Sequence, residues 1–477
     1  MKLIVLINYD YALFTNSFEL TRIEIQKLPL MKHQPIHIVF LGGGYVSIWA
    51  YRSLVTHLHK EITNGLVELT VISPEDHHYF HGWTAESLTC IVRDQNRMSP
   101  LNEVMPLAEI IHGWANGIDT DRNLVSIQMK DGSIRLIAFD HLVIGIGSID
   151  NEGIEGVKTY GYSVKSHVEF LRTKAAIQEI VRKAATVDEI SARNLLSIVV
   201  AGAGFTGVEL VTNIAEFITV IKKPYSSLKY IQPRVSLISS GEKILNILDP
   251  GLSSMRKYAE KILDQCGIQV FYQSRIKRVS DQGARLDDGT FIPAELVIST
   301  VGQCRQILHG TENLEKDELN RLFTNGYLQL KDSSNIWGGG DACQVTHPKT
   351  GTACPANALW AIKHGEHIGK NIARTIKSKE LLSFKFRGLG QCASLGIGKG
   401  MGELYGMVFT GWIAWIMRWF FFDYFMPSRR VMLAMVTDWL HLIFHGRRRS
   451  LAMQEENTDL SLNNSIEPNP FSMPMGI

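Results

Sequence analysis

Cysteine is scarce in this chain: six residues among 477, at Cys90, Cys266, Cys304, Cys343, Cys354 and Cys392. No two stand as a CxxC pair, which argues against a zinc ribbon. The pattern reads as reduced thiols of a cytosolic compartment. Long basic runs are missing outside the C-terminal region, and so is zinc-finger spacing, so no nucleic-acid partner is expected. His77, His78 and His81 crowd one segment, but without a helical carboxylate–histidine pairing, and no metal site is expected there. The stretch from Asn8 to Lys27 lacks the apolar centre and small-residue cleavage site of a signal peptide. Residues 1–33 are expected to form an unstructured extension, with Met31 an alternative start. An uninterrupted apolar run of the ~20 residues needed to cross a bilayer is also lacking.

What is present in strength is glycine at two turns. Gly42-Gly43-Gly44-Tyr45-Val46-Ser47 follows the apolar run Ile36 to Leu41, and Gly202-Ala203-Gly204-Phe205-Thr206-Gly207 follows Ile198 to Ala201. Each lies between a strand-like and a helix-like run. A dinucleotide pyrophosphate needs this arrangement. The first glycine permits the tight turn, the second lets backbone N–H groups approach phosphate, and the third lets helix and strand pack closely. One such turn is weak evidence; two, about a domain apart, point to two dinucleotides. For FAD and NAD(P)H that pairing means hydride transfer.

The surroundings repeat as well. After the first unit come a turn at Asp131-Gly132 and the strand Phe139 to Ser148. After the second come Asp287-Asp288-Gly289 and the strand Ala294 to Gly302. This duplication predicts an α/β fold with two interleaved Rossmann-like dinucleotide-binding domains, and the aromatic stretches near the end add a C-terminal membrane-associated helical region. The boundaries read as one dinucleotide-binding domain in two parts, 34–150 and 303–381, around a second, 151–302. Residues 382–450 form the C-terminal region, and 451–477 a polar tail expected to be disordered.

With these landmarks the chain resembles the two-dinucleotide-binding-domain flavoproteins of the pyridine nucleotide-disulfide oxidoreductase superfamily. Within them it is most similar to the type II (alternative) NADH:quinone oxidoreductases. The resemblance rests on Gly202 to Glu209, Gly338 to Asp341, the helix ending Lys363-His364-Gly365-Glu366, and the C-terminal Gly396-Ile397-Gly398-Lys399 and Gly411-Trp412-Ile413-Ala414-Trp415. It implies an enzyme carrying electrons from NADH or NADPH through FAD to a membrane quinone. It also implies a peripheral place in a respiratory chain, on the cytoplasmic face of the inner (plasma) membrane. Gly42, Gly44, Ser47, Glu75, Gly147, Gly340, Asp341 and Ala358 would hold FAD. Gly202, Gly204, Gly207, Glu209, Ser239 and Gly302 would hold NAD(P)H. Glu209 would stand beside the nicotinamide and the flavin edge, and Lys399 near the quinone tunnel. The plainer readings are a turn or cap residue for Asp341, a dipole-favoured first-turn glutamate for Glu209 and a solvated lysine for Lys399.

The chain departs from the pattern at several places. Ser47 replaces the third glycine of the first turn. Ser73 and Ser239 stand where an acidic residue usually meets the adenosine ribose; Glu75 or Asp76 would serve for FAD, and Ser239, Ser240 and Lys243 leave room for NADPH. Leu359, Lys363 and His364 occupy positions that are glutamines in the family, which opens the identity of the acceptor. The alternatives are a sulfide:quinone oxidoreductase-like enzyme, an NAD(P)H reductase with another acceptor, and a non-catalytic membrane flavoprotein. Val408 to Met426 and Val431 to Phe444 are aromatic and aliphatic but interrupted by Arg418, Asp423 and Asp438. They read as an amphipathic pair lying in a membrane interface. Trp412, Trp415, Trp419 and Trp439 would sit at headgroup depth, and Arg429, Arg430 and Arg447 to Arg449 would face anionic lipid. A helical homodimer interface is the other use of the same surface.

Overall fold

The computed structural model describes residues 34–465 apart from Ile247 and Asp249, with backbone only at Pro250 and at 448–465. The expected N-terminal extension, 1–33, and residues 466–477 lie outside the described residues. The main elements in chain order are β1 (Ile36–Leu41), α1 (Tyr45–Thr63), β2 (Val67–Ser73), β3 (Glu109–Asp119), β4 (Leu124–Met129), β5 (Ile134–Ala138) and β6 (His141–Ile144). Next are α2 (His167–Ala184), β7 (Ser197–Ala201), α3 (Phe205–Ile221), β8 (Arg234–Ile238), α4 (Ser253–Gln265), β9 (Gln269–Phe271) and β10 (Leu296–Ser299). The last are β11 (Ile336–Gly338), α5 (Ala358–Ile376), β12 (Gly390–Ser394), β13 (Gly400–Leu404), β14 (Met407–Thr410), α6 (Gly411–Tyr424) and α7 (Arg429–Ser465).

Two sheets organise the molecule. The first has the order β11-β6-β1-β2-β3-β4-β5. Its strands β11, β6, β1 and β2 run parallel, and β3 changes partner along its length. Glu109 to His112 pair parallel with β2, while residues from Gly113 onward pair antiparallel with β4. The second sheet, β9-β8-β7-β10, is parallel throughout. β1 and β7 are continuous apolar runs because each is central and covered on both faces. Strand β11 follows the second sheet in sequence but pairs with β6 of the first.

Helices α1 and α5 lie against each other at backbone contact. A Cβ on Gly365 would stand 2.4 Å from the Val46 carbonyl oxygen, and one on Gly369 2.2 Å from that of Ala50. Two glycines one turn apart on α5 therefore bring its N-terminus close to the first glycine turn.

The C-terminal region differs from the sequence expectation in two ways. The apolar stretch from Val408 does not begin as helix: Met407–Thr410 closes a three-stranded antiparallel sheet, β12-β13-β14. Helix α7 bends at Gly446 (φ +71°) and continues in backbone to Ser465. It thus runs through residues assigned to the tail, where Leu451-Ala452-Met453-Gln454-Glu455-Glu456 are all good helix formers.

Candidate active site

Both glycine turns have the geometry of phosphate cradles. Gly42 (φ +89°) and Gly202 (φ +100°) adopt the left-handed conformation that glycine supports. Gly44 and Gly204 are the N-caps of α1 and α3, and neither helix has a side-chain cap. The first-turn N–H groups are therefore free for an anion. Space is open at both: a Cβ on Gly204 meets nothing within 4 Å, and one on Gly44 only the Gly145 oxygen at 3.5 Å. Gly207 is compulsory, since its Cβ would lie 1.7 Å from the Gly202 oxygen. Ser47 is buried and fits through a compensation: Gly145, just past β6, would place a Cβ 2.6 Å from the Ser47 Oγ. The space that a third glycine usually supplies comes from the neighbouring strand. Gly147 (φ +68°) opens on empty space, whereas Gly302 (φ +70°) abuts the Asn151 side chain.

The remaining predicted residues are placed as follows. Glu75 is exposed just past β2, and accepts a hydrogen bond from the Tyr79 hydroxyl at 3.4 Å. Gly340 (φ +62°) and Asp341 follow β11. The Asp341 carboxylate accepts from the Ser148 hydroxyl at 2.7 Å, Lys165 donates to that hydroxyl, and Arg305 donates to the Asp341 carbonyl. Ala358 opens α5, where Asn357 caps the Trp360 N–H at 3.1 Å and leaves the first amides free. Ser239 is turned inward, its hydroxyl 3.3 Å from the carbonyls of Gly241 and Lys243, so it shapes the loop after β8.

His81 lies beside the first turn, its backbone N–H donating to the Tyr45 hydroxyl at 3.1 Å. Glycine cradles and unfilled helix N-termini fit FAD at the first turn and a nicotinamide dinucleotide at the second.

Glu209 stands at the start of the second turn of α3, not on the first turn that the plainer reading placed it on. Its Oε1 accepts from the Ser394 amide at 2.8 Å and from the Arg418 guanidinium at 3.1 Å. Arg418, on α6, is buried; it also pairs with Glu86 and donates to the Gly82 carbonyl at 2.7 Å. Burial raises the Glu209 pKa to about 7; Arg418 opposes the rise and Glu86 adds to it. Two carboxylates share one guanidinium here, so the site holds a proton near neutral pH. Glu86, Arg418 and Ser394 were not singled out from sequence as site residues. The one available signal was a lone arginine in an aromatic stretch, which was read as the polar face of a surface helix.

Lys399 pairs with Glu216, two turns along α3 from Glu209, at 3.1 Å. Leu359 is buried, and Lys363 pairs with Glu366 at 2.8 Å. The His364 Nδ1 accepts from the Gly340 amide at 3.1 Å. Cys343 and Cys354 are buried thiols, each pushed up to about 12 by desolvation, which is unsuited to thiolate chemistry.

Two of the three charges that interrupt the C-terminal stretches, Arg418 and Asp438, are buried, while Asp423 is half-buried. Asp438 accepts from the Arg93 backbone and side chain and from Asn96 at 2.6 Å. Arg447 is buried beside Glu216 at 3.1 Å instead of facing outward. Trp415 and Trp439 are buried with Trp419 and Trp83, the Trp419 and Trp439 rings stacking at 3.6 Å. Of the four tryptophans expected at an interface, only Trp412 is largely exposed, at 65%. The outer surface carries Phe420, Tyr424, Leu433, Ile443 and Phe444 instead, all exposed, with Arg429 and Arg430 at the start of α7. No helix among the described residues is long and apolar enough to cross a membrane.

Comparison with known proteins agrees with this geometry. The type II NADH:quinone oxidoreductase of Staphylococcus epidermidis is 23% identical over 389 residues, covering 78% of this chain and 91% of that protein. The Staphylococcus aureus protein of the same name has the same identity and coverage. In fold, the NDH2 of Plasmodium falciparum in complex with NADH superposes with a TM-score of 0.76 at 15% identity, over 86% of this chain and 99% of that one. The sulfide:quinone oxidoreductase of Aquifex aeolicus superposes with a TM-score of 0.65 at 16% identity, over 86% and 96%. Residues 32–365 match the pyridine nucleotide-disulphide oxidoreductase family, and the chain belongs to that family.

Proposed function

We propose that the protein is an FAD-dependent NAD(P)H dehydrogenase that passes electrons to a quinone at a membrane surface. The observation that carries this reading is the two-sided character of α6. Its inner face gives Arg418 to Glu209, two residues past the last glycine of the second turn, and its outer face presents Trp412, Phe420 and Tyr424. One helix thus joins a redox centre to an apolar exterior, the arrangement a lipid-soluble acceptor needs.

FAD, when bound, supplies the acceptor for hydride and a store for two electrons. The protein supplies the rest. The α1 and α3 N-termini hold the two pyrophosphates, and the α5 N-terminus adds its dipole beside Gly340. Glu209 is fixed through Oε1, and no bond to Oε2 is present among the described residues; that oxygen is the position for an exchangeable proton. Leu359, Lys363 and His364 replace glutamines, and Leu359 is buried in the core, so these positions do not supply the amide groups of the family pattern. The supporting relatives are those named NADH:quinone oxidoreductase. The loop after β8, without an acidic residue at its strand end, suits NADPH as well as NADH. We further infer a peripheral position on the cytoplasmic face of the membrane, through the outer face of α6 and the start of α7.

Anaerobic stopped-flow bleaching of the bound flavin, with NADH and NADPH in turn and then a short-chain quinone, tests the proposal. Bleaching followed by quinone-dependent recovery is expected. Bleaching without recovery moves the acceptor elsewhere, and no bleaching with either nucleotide removes the hydride-transfer reading. Sedimentation with anionic vesicles, before and after Phe420→Ser and Phe444→Ser, tests the membrane face.

A further inference from the structure

Each glycine turn has a middle residue between its first two conserved-spacing glycines, Gly43 in the first turn and Ala203 in the second. In both, the carbonyl of that residue is held by a donor from the segment that follows the second strand of the unit. After β8 the donor is backbone. The Leu245 N–H donates to the Ala203 carbonyl at 2.8 Å, and Leu245 is buried with φ at +52°, a conformation rare for leucine. After β2 the donor is a side chain: the His78 Nδ1 stands 3.2 Å from the Gly43 carbonyl oxygen. A carbonyl only accepts, so Nδ1 carries a proton whether the ring is neutral or charged.

His78 is held firmly in this position. It is 3% exposed. Its backbone lies in a two-stranded antiparallel ribbon, His77–Tyr79 against Met98–Pro100, opposite Ser99. Its ring meets that of Tyr45, the first residue of α1, edge-on with centroids 4.5 Å apart. The Tyr45 ring is fixed in turn by the His81 N–H, which donates to its hydroxyl at 3.1 Å. Nε2 is buried and has no hydrogen-bond partner among the described residues. The polar function of the ring is therefore spent on Gly43.

We propose that His78 is a positioning residue for the first phosphate turn: it fixes the Gly43–Gly44 peptide so that the Gly44 N–H is presented to the FAD pyrophosphate. This rests on the flavin reading above. The peptide is trans and planar, so its C=O and N–H point in opposite directions. Drawing the Gly43 oxygen to His78 turns the Gly44 N–H the other way, where it makes no hydrogen bond among the described residues. A flipped peptide would instead set the carbonyl oxygen against the phosphates, and two negative groups repel. In the second turn the same duty falls to a backbone amide. FAD binding thus depends on one replaceable side chain, and nicotinamide dinucleotide binding does not.

The test is calorimetric titration of the full-length protein with FAD, and with NAD⁺ and NADP⁺ at saturating FAD, for wild type, His78→Asn, His78→Gln and His78→Leu. The Asn side chain places an N–H near the Nδ1 position, Gln reaches the Nε2 position, and Leu offers no donor. FAD affinity is expected to fall about tenfold, the worth of one hydrogen bond, in the Leu and Gln variants and to return in the Asn variant. Nicotinamide dinucleotide affinity is expected to stay level in all four proteins. Wild-type FAD affinity in His78→Leu overturns this proposal alone, and so does equal weakening in all three variants, which marks a packing role. Absence of FAD binding in the wild type overturns the flavin reading and this proposal with it. Should His78→Leu fail to fold, the two polar variants decide: tighter FAD binding by Asn than by Gln supports the assignment, and equal affinities overturn it.

Discussion

The two glycine turns solve one packing problem in different ways. In the second, the approach of α3 to β7 is absorbed by Gly207 itself, where any Cβ would strike the Gly202 oxygen at 1.7 Å. In the first, Ser47 stands in that place and the missing volume is found at Gly145, just past β6. The residue two positions on differs as well: Trp49, buried under Arg52 at 5.2 Å, in the first; Glu209 in the second. The same supersecondary unit thus serves as scaffold in one copy and carries the proton-holding group in the other. A local motif sets the backbone path, and its neighbours decide what the side chains are free to do.

Substitutions sharpen this contrast. The largest effect is expected from Arg418→Met, which leaves Glu86 and Glu209 buried without their cation and costs about 3–5 kcal/mol in denaturant titration. Next is Gly207→Ala, where the clash is with backbone: a loss of about 3 kcal/mol is expected, with NAD(P)H binding lost in fluorescence titration. Should Gly207→Ala bind nucleotide normally, the contrast between the turns fails. Glu209→Gln acts through pH. The folded-state pKa of Glu209 is raised to about 7, so its neutral form stabilises the fold below the ordinary glutamate range. That contribution is lost as pH rises through 7, by up to about 3 kcal/mol. The variant should keep its Tm across this window while the wild type declines; parallel curves would remove the buried-carboxylate assignment. Gly145→Ala should cost about 1–2 kcal/mol, and Ser47→Gly, nearly silent alone, should return most of it. An additive double mutant would show that Gly145 and Ser47 do not share the space.

Legibility in the sequence followed the range of the interaction. The parallel strands β1, β2, β7 and β8 and the glycine turns were readable because apolar runs, turn residues and helix starts are encoded within a few residues of one another. Glu209 was readable by its position after Gly207. The partners of Glu209 were not: Glu86, Ser394 and Arg418 are distant in sequence and meet only when α6 folds across the site. The C-terminal helices show the same limit. Their composition marked an amphipathic pair, but Arg418, Asp438 and Arg447 find buried partners and turn inward. That leaves the aromatic and aliphatic side chains outside.

The sequence by itself determined an α/β dinucleotide-binding chain with two phosphate turns, because each turn needs only glycine, a strand and a helix start in succession. Only the tertiary structure decided that Ser47 is tolerated, that burial raises the pKa of Glu209 to about 7, and that Arg418 turns inward to meet it. Each of these depends on what a distant segment places within a few ångströms, and desolvation and charge pairing act through space rather than along the chain.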